Sequence, residues 1–155
     1  MNHILDYMQY QTALQLRTVA DRTRREVWDA PRRAYIALTP EELVRQLVLQ
    51  YMVQTWRLPL THTRTEYALT INGQAKRCDI LVFDRQTRPF LMVECKAASV
   101  KIDETVFFQA AQYNLTLEVP FFMLTNGIMT YICERKTDGN YGFVTDIDAM
   151  IAQYI

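Results

Sequence analysis

The stretch from Arg77 to Lys96 restricts what this chain can fold into more than any other. Ile80-Leu81-Val82-Phe83 and Phe90-Leu91-Met92-Val93 are continuous apolar runs separated by a polar turn that Pro89 closes. That is the pattern of two strands buried on both faces. Yet Asp79 opens the first run, and Glu94 and Lys96 end the second. Side chains alternate along a strand, so Glu94 and Lys96 point to one face and Cys95 to the other. If the two strands pair as a hairpin, the start of one lies beside the end of the other, and Asp79 meets Glu94 and Lys96. Burying such charges costs several kcal/mol per ion unless something compensates.

Two readings of the cluster follow from the residues alone. Asp and Glu are oxygen ligands of the kind Mg²⁺ prefers, with positions left for water and phosphate. Lys96 is then placed to hold or help deprotonate an attacking water and to offset developing negative charge. The other reading is a salt bridge from Lys96 to Asp79 or Glu94 with no chemistry, since charge clusters mark sites only statistically.

Asp79, a gap of 14 residues and then Glu94-Cys95-Lys96 resemble the D…(D/E)XK signature of the PD-(D/E)XK nuclease superfamily. The lead-in Leu91-Met92-Val93 is most similar to the N-terminal nuclease domain of type I restriction enzyme R subunits. Gln109-Ala-Ala-Gln-Tyr113 resembles that family's QxxxY element, Glu42 stands in a preceding helix where the family often supplies another acid, and Arg77 is the basic residue before the Asp. Cys78 departs from the pattern, standing where the family often has Pro. The resemblance spans residues 39 to 133. It implies Asp79, Glu94 and Lys96 as catalytic residues, and Asp79, Glu94, the Cys95 carbonyl and Glu42 around a Mg²⁺ or Mn²⁺ ion. It further implies Gln109, Tyr113 and Arg77 as contacts to DNA or supports of the site. On spacing alone, Gln109 and Tyr113 are ordinary polar groups sharing a helix face.

With 17 basic and 17 acidic residues the total charge gives no general argument for a polyanionic partner, so any basic surface must be local. One such surface is the stretch from Arg17 to Arg33, with six arginines against Asp21, Glu26 and Asp29, and Trp28 among them. It reads either as a contact to DNA phosphates or as a solvated or packing face. The three cysteines, an odd number without CxxC spacing, read as free buried thiols in a reducing compartment. Neither a signal peptide nor an apolar run of spanning length is visible, so a soluble, cytoplasmic protein is expected. No GxxxxGK(S/T) loop occurs, hence no ATP site is expected, and with only His3 and His62 zinc chemistry is disfavoured. The helicase motor that follows the nuclease domain in R subunits is also not seen, which suggests a stand-alone or truncated relative.

Along the chain, residues 1 to 20 show a loose, partly helical pattern, and Pro31 to Ala37 an irregular or extended connector. Thr39-Pro40-Glu41-Glu42 opens a helix to about Trp56, with Glu42 completing a capping box, a purely structural alternative to its role as an acid. Glu66 to Ile71 alternates, and Asn72-Gly73 signals a hairpin into the Asp79 strand. A helix from Asp103-Glu104 to about Glu118 leads to a strand Phe121 to Leu124, paired in parallel with the Glu94 strand. Strands Ile128 to Cys133 and Tyr141 to Val144 and a helix Asp146 to Tyr154 close the chain.

The expected fold is α/β, a restriction-endonuclease-like core with a mixed central sheet. Three antiparallel strands are followed by a crossover helix and a parallel strand, flanked by helices. A single domain is expected over residues 1–155, with an extension (1–38), a core (39–133) and a C-terminal hairpin and helix (134–155). The expected function is metal-dependent DNA endonuclease, with DNA and subunits of a restriction system as partners. The alternatives are a catalytically silent DNA- or protein-binding module of the same fold and a structural subunit whose charges form a buried bridge.

Overall fold

The computed structural model describes residues 1–20 and 23–154, the side chains of residues 113, 115 and 116 excepted. Helix α1 (Pro40–Gln54) starts where the sequence places it. Thr39 is extended, its hydroxyl accepts the Glu42 amide at 3.1 Å, and Pro40 takes the first turn, where its missing N–H is no loss. Only half of the capping box forms. The Thr39 amide donates to the Ala37 carbonyl at 3.1 Å, while the Glu42 carboxylate turns to Arg45 and Gln46.

Two consecutive hairpins follow. Strand β4 (Thr63–Ile71) turns at Asn72 and Gly73, at φ 50° and 76°, into β5 (Gln74–Phe83). A two-residue hairpin needs positive φ at both turn positions, and Asn-Gly adopts it at least cost. Strand β5 then pairs antiparallel with β6 (Pro89–Cys95). Helix α2 (Glu104–Leu117), capped by the Asp103 carboxylate on the Val106 amide at 3.0 Å, carries the chain over to β7 (Phe121–Thr125). Strands β6 and β7 are parallel, as their helical crossover requires. Strands β8 (Thr130–Arg135) and β9 (Tyr141–Phe143) extend the sheet antiparallel, to the order β4-β5-β6-β7-β8-β9. A short helix α3 (Ile147–Ala152) ends it, with the Asp146 carboxylate on the Ala149 amide at 2.9 Å.

The continuous apolar runs are explained by cover on both faces. Ile80, Val82, Leu91, Val93 and Met123 pack with Val44, Leu47, Val48 and Met52 of α1. Leu81, Met92, Phe122 and Leu124 pack with Ala110 and Ala111 of α2. All three cysteines are free and buried, Cys95 in the first of these layers, Cys78 and Cys133 in the second. Among the described residues no helix is long and apolar enough to cross a membrane.

Two expectations need correction. Residues 1–37 hold more order than a partly helical extension and a connector. A 3-10 turn over Met8–Ala13 is followed by three antiparallel strands, β1 (Leu16–Val19), β2 (Arg24–Asp29) and β3 (Ala34–Ala37). The alternation that betrays a strand is hidden because one face carries Arg17, Arg24, Glu26, Trp28 and Tyr35, paired across strands, while the other mixes Leu16, Val27 and Ile36 with Thr18, Arg25 and Asp29. Upstream, Tyr7 is buried and its hydroxyl meets that of Thr130 at 2.9 Å, which ties the first residues to β8. Second, β8 starts at Thr130 rather than Ile128, because the Asn126 side chain accepts the amides of Ile128 and Met129 and prolongs the turn.

Candidate active site

The two hairpins line up three carboxylates. Ile71 pairs with Gln74 and Thr65 with Ile80 in one register, so Glu66 stands opposite Asp79. In the next hairpin Ile80 pairs with Val93, and one further step in that register sets Asp79 opposite Glu94. Neither carboxylate pair belongs to the ladder itself. Glu66 leaves the pleat with a left-handed backbone, φ 51°, a conformation costing on the order of 1–3 kcal/mol for a residue with a side chain. That turn brings its carboxylate to the guanidinium of Arg45.

Arg45 is the hub of the arrangement. It is 7% exposed, and from the inner face of α1 it contacts both oxygens of Glu42, one of Glu66 and, at 3.5 Å, Oδ1 of Asp79. Gln46 adds a bond to Glu42 at 2.9 Å. The other oxygen of Asp79, Oδ2, accepts the Cys95 amide at 2.7 Å. Asp79 is therefore held from two directions. Arg77, 71% exposed on its side chain, stands 3.6 Å from the far side of Glu66.

Glu94 and Lys96 form an ion pair at 3.1 Å. With Lys76 of β5 and Gln109, Ala110 and Gln112 of α2 they line an open cleft of about 280 Å³. The alternation of β6 predicted this shared direction, and the thiol of Cys95 turns to the α1 side. Gln109 lines this cleft. The Tyr113 side chain lies outside the described residues.

Burial pushes the Asp79 carboxyl up, and although the Cys95 amide and Arg45 oppose it, the group rises from 3.8 to about 6. Burial and then the charge of Asp79 lift Glu94 from 4.5 to about 7 against the pull of Lys96. Burial works against the Lys96 ammonium, yet the Glu94 charge outweighs it and raises the group above its ordinary 10.5. For Glu66 burial again pushes up, but the hydrogen bond and charge of Arg45 win and its carboxyl stays low. Asp79 and Glu94 hold protons more tightly in the fold than in the unfolded chain. Their ionisation therefore weakens the fold as pH rises between about 4 and 7. In EDTA, the urea midpoint is expected to fall from pH 5 to pH 8. A midpoint that climbed over that range would contradict the burial of this pair.

Among the described residues no set of three or more His, Cys, Asp and Glu side chains is gathered so as to hold a metal ion. The donor chemistry nevertheless fits a small hard cation. Two carboxylates facing each other in the register, both desolvated and with the Asp79 charge lifting Glu94, are what Mg²⁺ neutralises with one or two protein carboxylates, water and substrate phosphate. Glu42 is less free for that purpose, because its oxygens are engaged by Arg45 and Gln46.

Arg45 and Glu66 went unread in the sequence, although both left a signal. Glu42, Arg45, Gln46, Leu49 and Met52 fall on one helical stripe, so the charges sit where an apolar face is expected. Counting back from the Asn72-Gly73 turn also sets Glu66 opposite Asp79.

Comparison with known proteins adds what the geometry leaves open. The model of the family described as Type I restriction enzyme R protein N terminus (HSDR_N) matches residues 40–148. The chain belongs to this family. The match takes in α1, the whole six-stranded sheet and the beginning of α3, further than the resemblance in residues 39–133, and leaves the β1–β3 sheet outside it. A fragment of a candidate HsdR subunit of a type I restriction enzyme from Vibrio vulnificus YJ016 shares the fold, at a TM-score of 0.50 and 22% identity. The likeness covers 70% of this R-protein N-terminal chain and 23% of that longer one. No curated protein matches the sequence.

Proposed function

We propose that this member of the R-protein N-terminal family is the nuclease module of a restriction system. It would be a metal-dependent DNA endonuclease of the PD-(D/E)XK type with a restriction-endonuclease-like core, working in the cytoplasm with partner subunits. The observation that carries the reading is the pair of desolvated carboxylates Asp79 and Glu94, opposite each other in the register of β5 and β6, with Lys96 paired to Glu94 on an open cleft.

Asp79, Glu94 and the Cys95 carbonyl are the groups that would hold Mg²⁺ or Mn²⁺. Such an ion, when bound, supplies Lewis acidity to the scissile phosphate and an activated water. Arg45 and the Cys95 amide fix the direction of Asp79. Glu42 acts on the site through Arg45. Lys96, charged and tied to Glu94, orients the water nucleophile and offsets the negative charge that grows on the phosphate oxygens. Gln109, from the cleft lining, and Arg77, exposed beside Glu66, would steer the DNA strand.

A second reading, a silent module that binds DNA or protein, is favoured by Arg45, which already supplies Asp79 with a positive neighbour. Calorimetric titration of Mn²⁺ into the protein, with Asp79→Ala as control, separates the two. Binding that vanishes in Asp79→Ala is expected. Should the wild type bind no ion either alone or with a short duplex present, the silent module is the surviving reading.

A further inference from the structure

The neutral total of this chain conceals a segregation of charge. The described part of the β1–β3 sheet carries Arg17, Arg24, Arg25, Arg32 and Arg33 against Glu26 and Asp29. Both acids are already engaged, Glu26 by Arg17 at 2.6 Å and Arg24 at 3.5 Å, Asp29 by Arg32 at 2.6 Å. Arg25 and Arg33 are exposed, and Arg24 is 63% exposed on its side chain. The register puts Arg17, Arg24, Trp28 and Tyr35 on one face, with the Arg17 guanidinium 3.9 Å over the Tyr35 ring. The opposite face buries Val27 and Asp29 completely.

The sheet is anchored beside the acids. The Thr65 hydroxyl donates to the Asp29 carboxylate at 2.8 Å, next to Glu66. Arg32, in the β2–β3 turn, is close enough to help hold the Glu66 carboxyl low, as is Arg77 on β5. Basic groups therefore stand on both sides of Glu66, Arg32 from the sheet and Arg77 from β5.

We propose that the β1–β3 sheet is a binding surface for the phosphate backbone of duplex DNA, with Arg24 and Arg33 making the contacts. Duplex DNA carries one charge per ~1.7 Å of axis, and arginines that neutralise phosphates gain by releasing counterions. Because the sheet precedes the family match, it is an attachment to the shared core, and its arginines supply affinity that the core's net acidic remainder opposes. The inference rests on the nuclease reading only for the choice of DNA as the polyanion.

The test is fluorescence anisotropy of a labelled duplex titrated with the intact protein in EDTA, over a range of salt. The combined variant Arg24→Gln, Arg33→Gln is expected to bind at least tenfold more weakly. Its dependence of log K on log salt should shrink by about 2. Arg24→Gln alone, which leaves the Arg17–Glu26 pair in place, should remove about one unit of that slope. Unchanged affinity and slope in these variants, or no salt-dependent binding by the wild type, would overturn the proposal. DNA bound through these arginines but never cut would leave it standing and remove the nuclease reading. DNA cut by a protein indifferent to them would do the reverse.

Discussion

Lys96→Ala is expected to leave a folded protein whose metal-dependent cleavage of duplex DNA falls at least a hundredfold. The side chain is 30% exposed, Lys96 directly follows β6, and its amide donates to the Thr125 carbonyl at 2.8 Å, so the backbone has no reason to move. A partly exposed ion pair such as Lys96–Glu94 adds little to stability. Lys76 shares the cleft, but the ion pair with Glu94 is made by Lys96, and Arg45 is committed to three carboxylates on the α1 side. Removing a positioned electrostatic group from an active site costs roughly 10²–10³ in turnover. The measurement is cleavage of supercoiled plasmid with Mg²⁺ or Mn²⁺, paired with a thermal melt. Wild-type cleavage by the variant would remove Lys96 from the chemistry, and a collapsed melt would mean the loss says nothing about mechanism.

Arg45→Ala is expected to be the most destabilising single substitution in the site. It strips Glu42, Asp79 and Glu66 of their shared cation while leaving all three in place, two of them buried. Breaking a buried pair by deleting one partner costs about 3–5 kcal/mol, because the orphaned charge is left desolvated. For a chain of this length each kcal/mol lowers the melting temperature by ~2–4 °C, so a fall of about 10 °C or more is expected. Arg45→Lys should recover only part of it, since one ammonium cannot reproduce a planar fork that meets Glu42 twice and Glu66 once. Pairing Arg45→Met with Glu42→Gln should recover more, by removing charge on both sides. If Arg45→Ala melted within a degree or two of the wild type, the cluster would be solvated far more than its burial indicates.

Where local chemistry and long apolar runs agree, the fold was legible in the sequence. Thr39 and Pro40 mark the start of α1, Asn72-Gly73 sets the register of β4 on β5, and the crossover through α2 makes β6 and β7 parallel. Strand alternation set Glu94 and Lys96 in one direction, and Gln109 of α2 lines the cleft they share. The β1–β3 sheet was not legible, because its strands hold four to six residues and much of one face is polar. Arg45 was missed for a different reason. A charge three residues from a capping glutamate looks like a surface pair, and only the approach of β4 and β5 turns it into a buried one. For Glu42 the sequence offered cap or ligand, and the carboxylate is engaged by Arg45 and Gln46.

The three cysteines make this molecule its own reporter of opening. None is disulfide-bonded, all are buried, and burial raises each thiol above its ordinary acidity range. A thiol reagent attacks the thiolate and needs access to it, so the native protein should label slowly, at the rate its layers part. Cys95 lies under α1, while Cys78 and Cys133 lie under α2. Which thiol reacts first would then tell which helix lifts first from the sheet, without adding a probe to the chain.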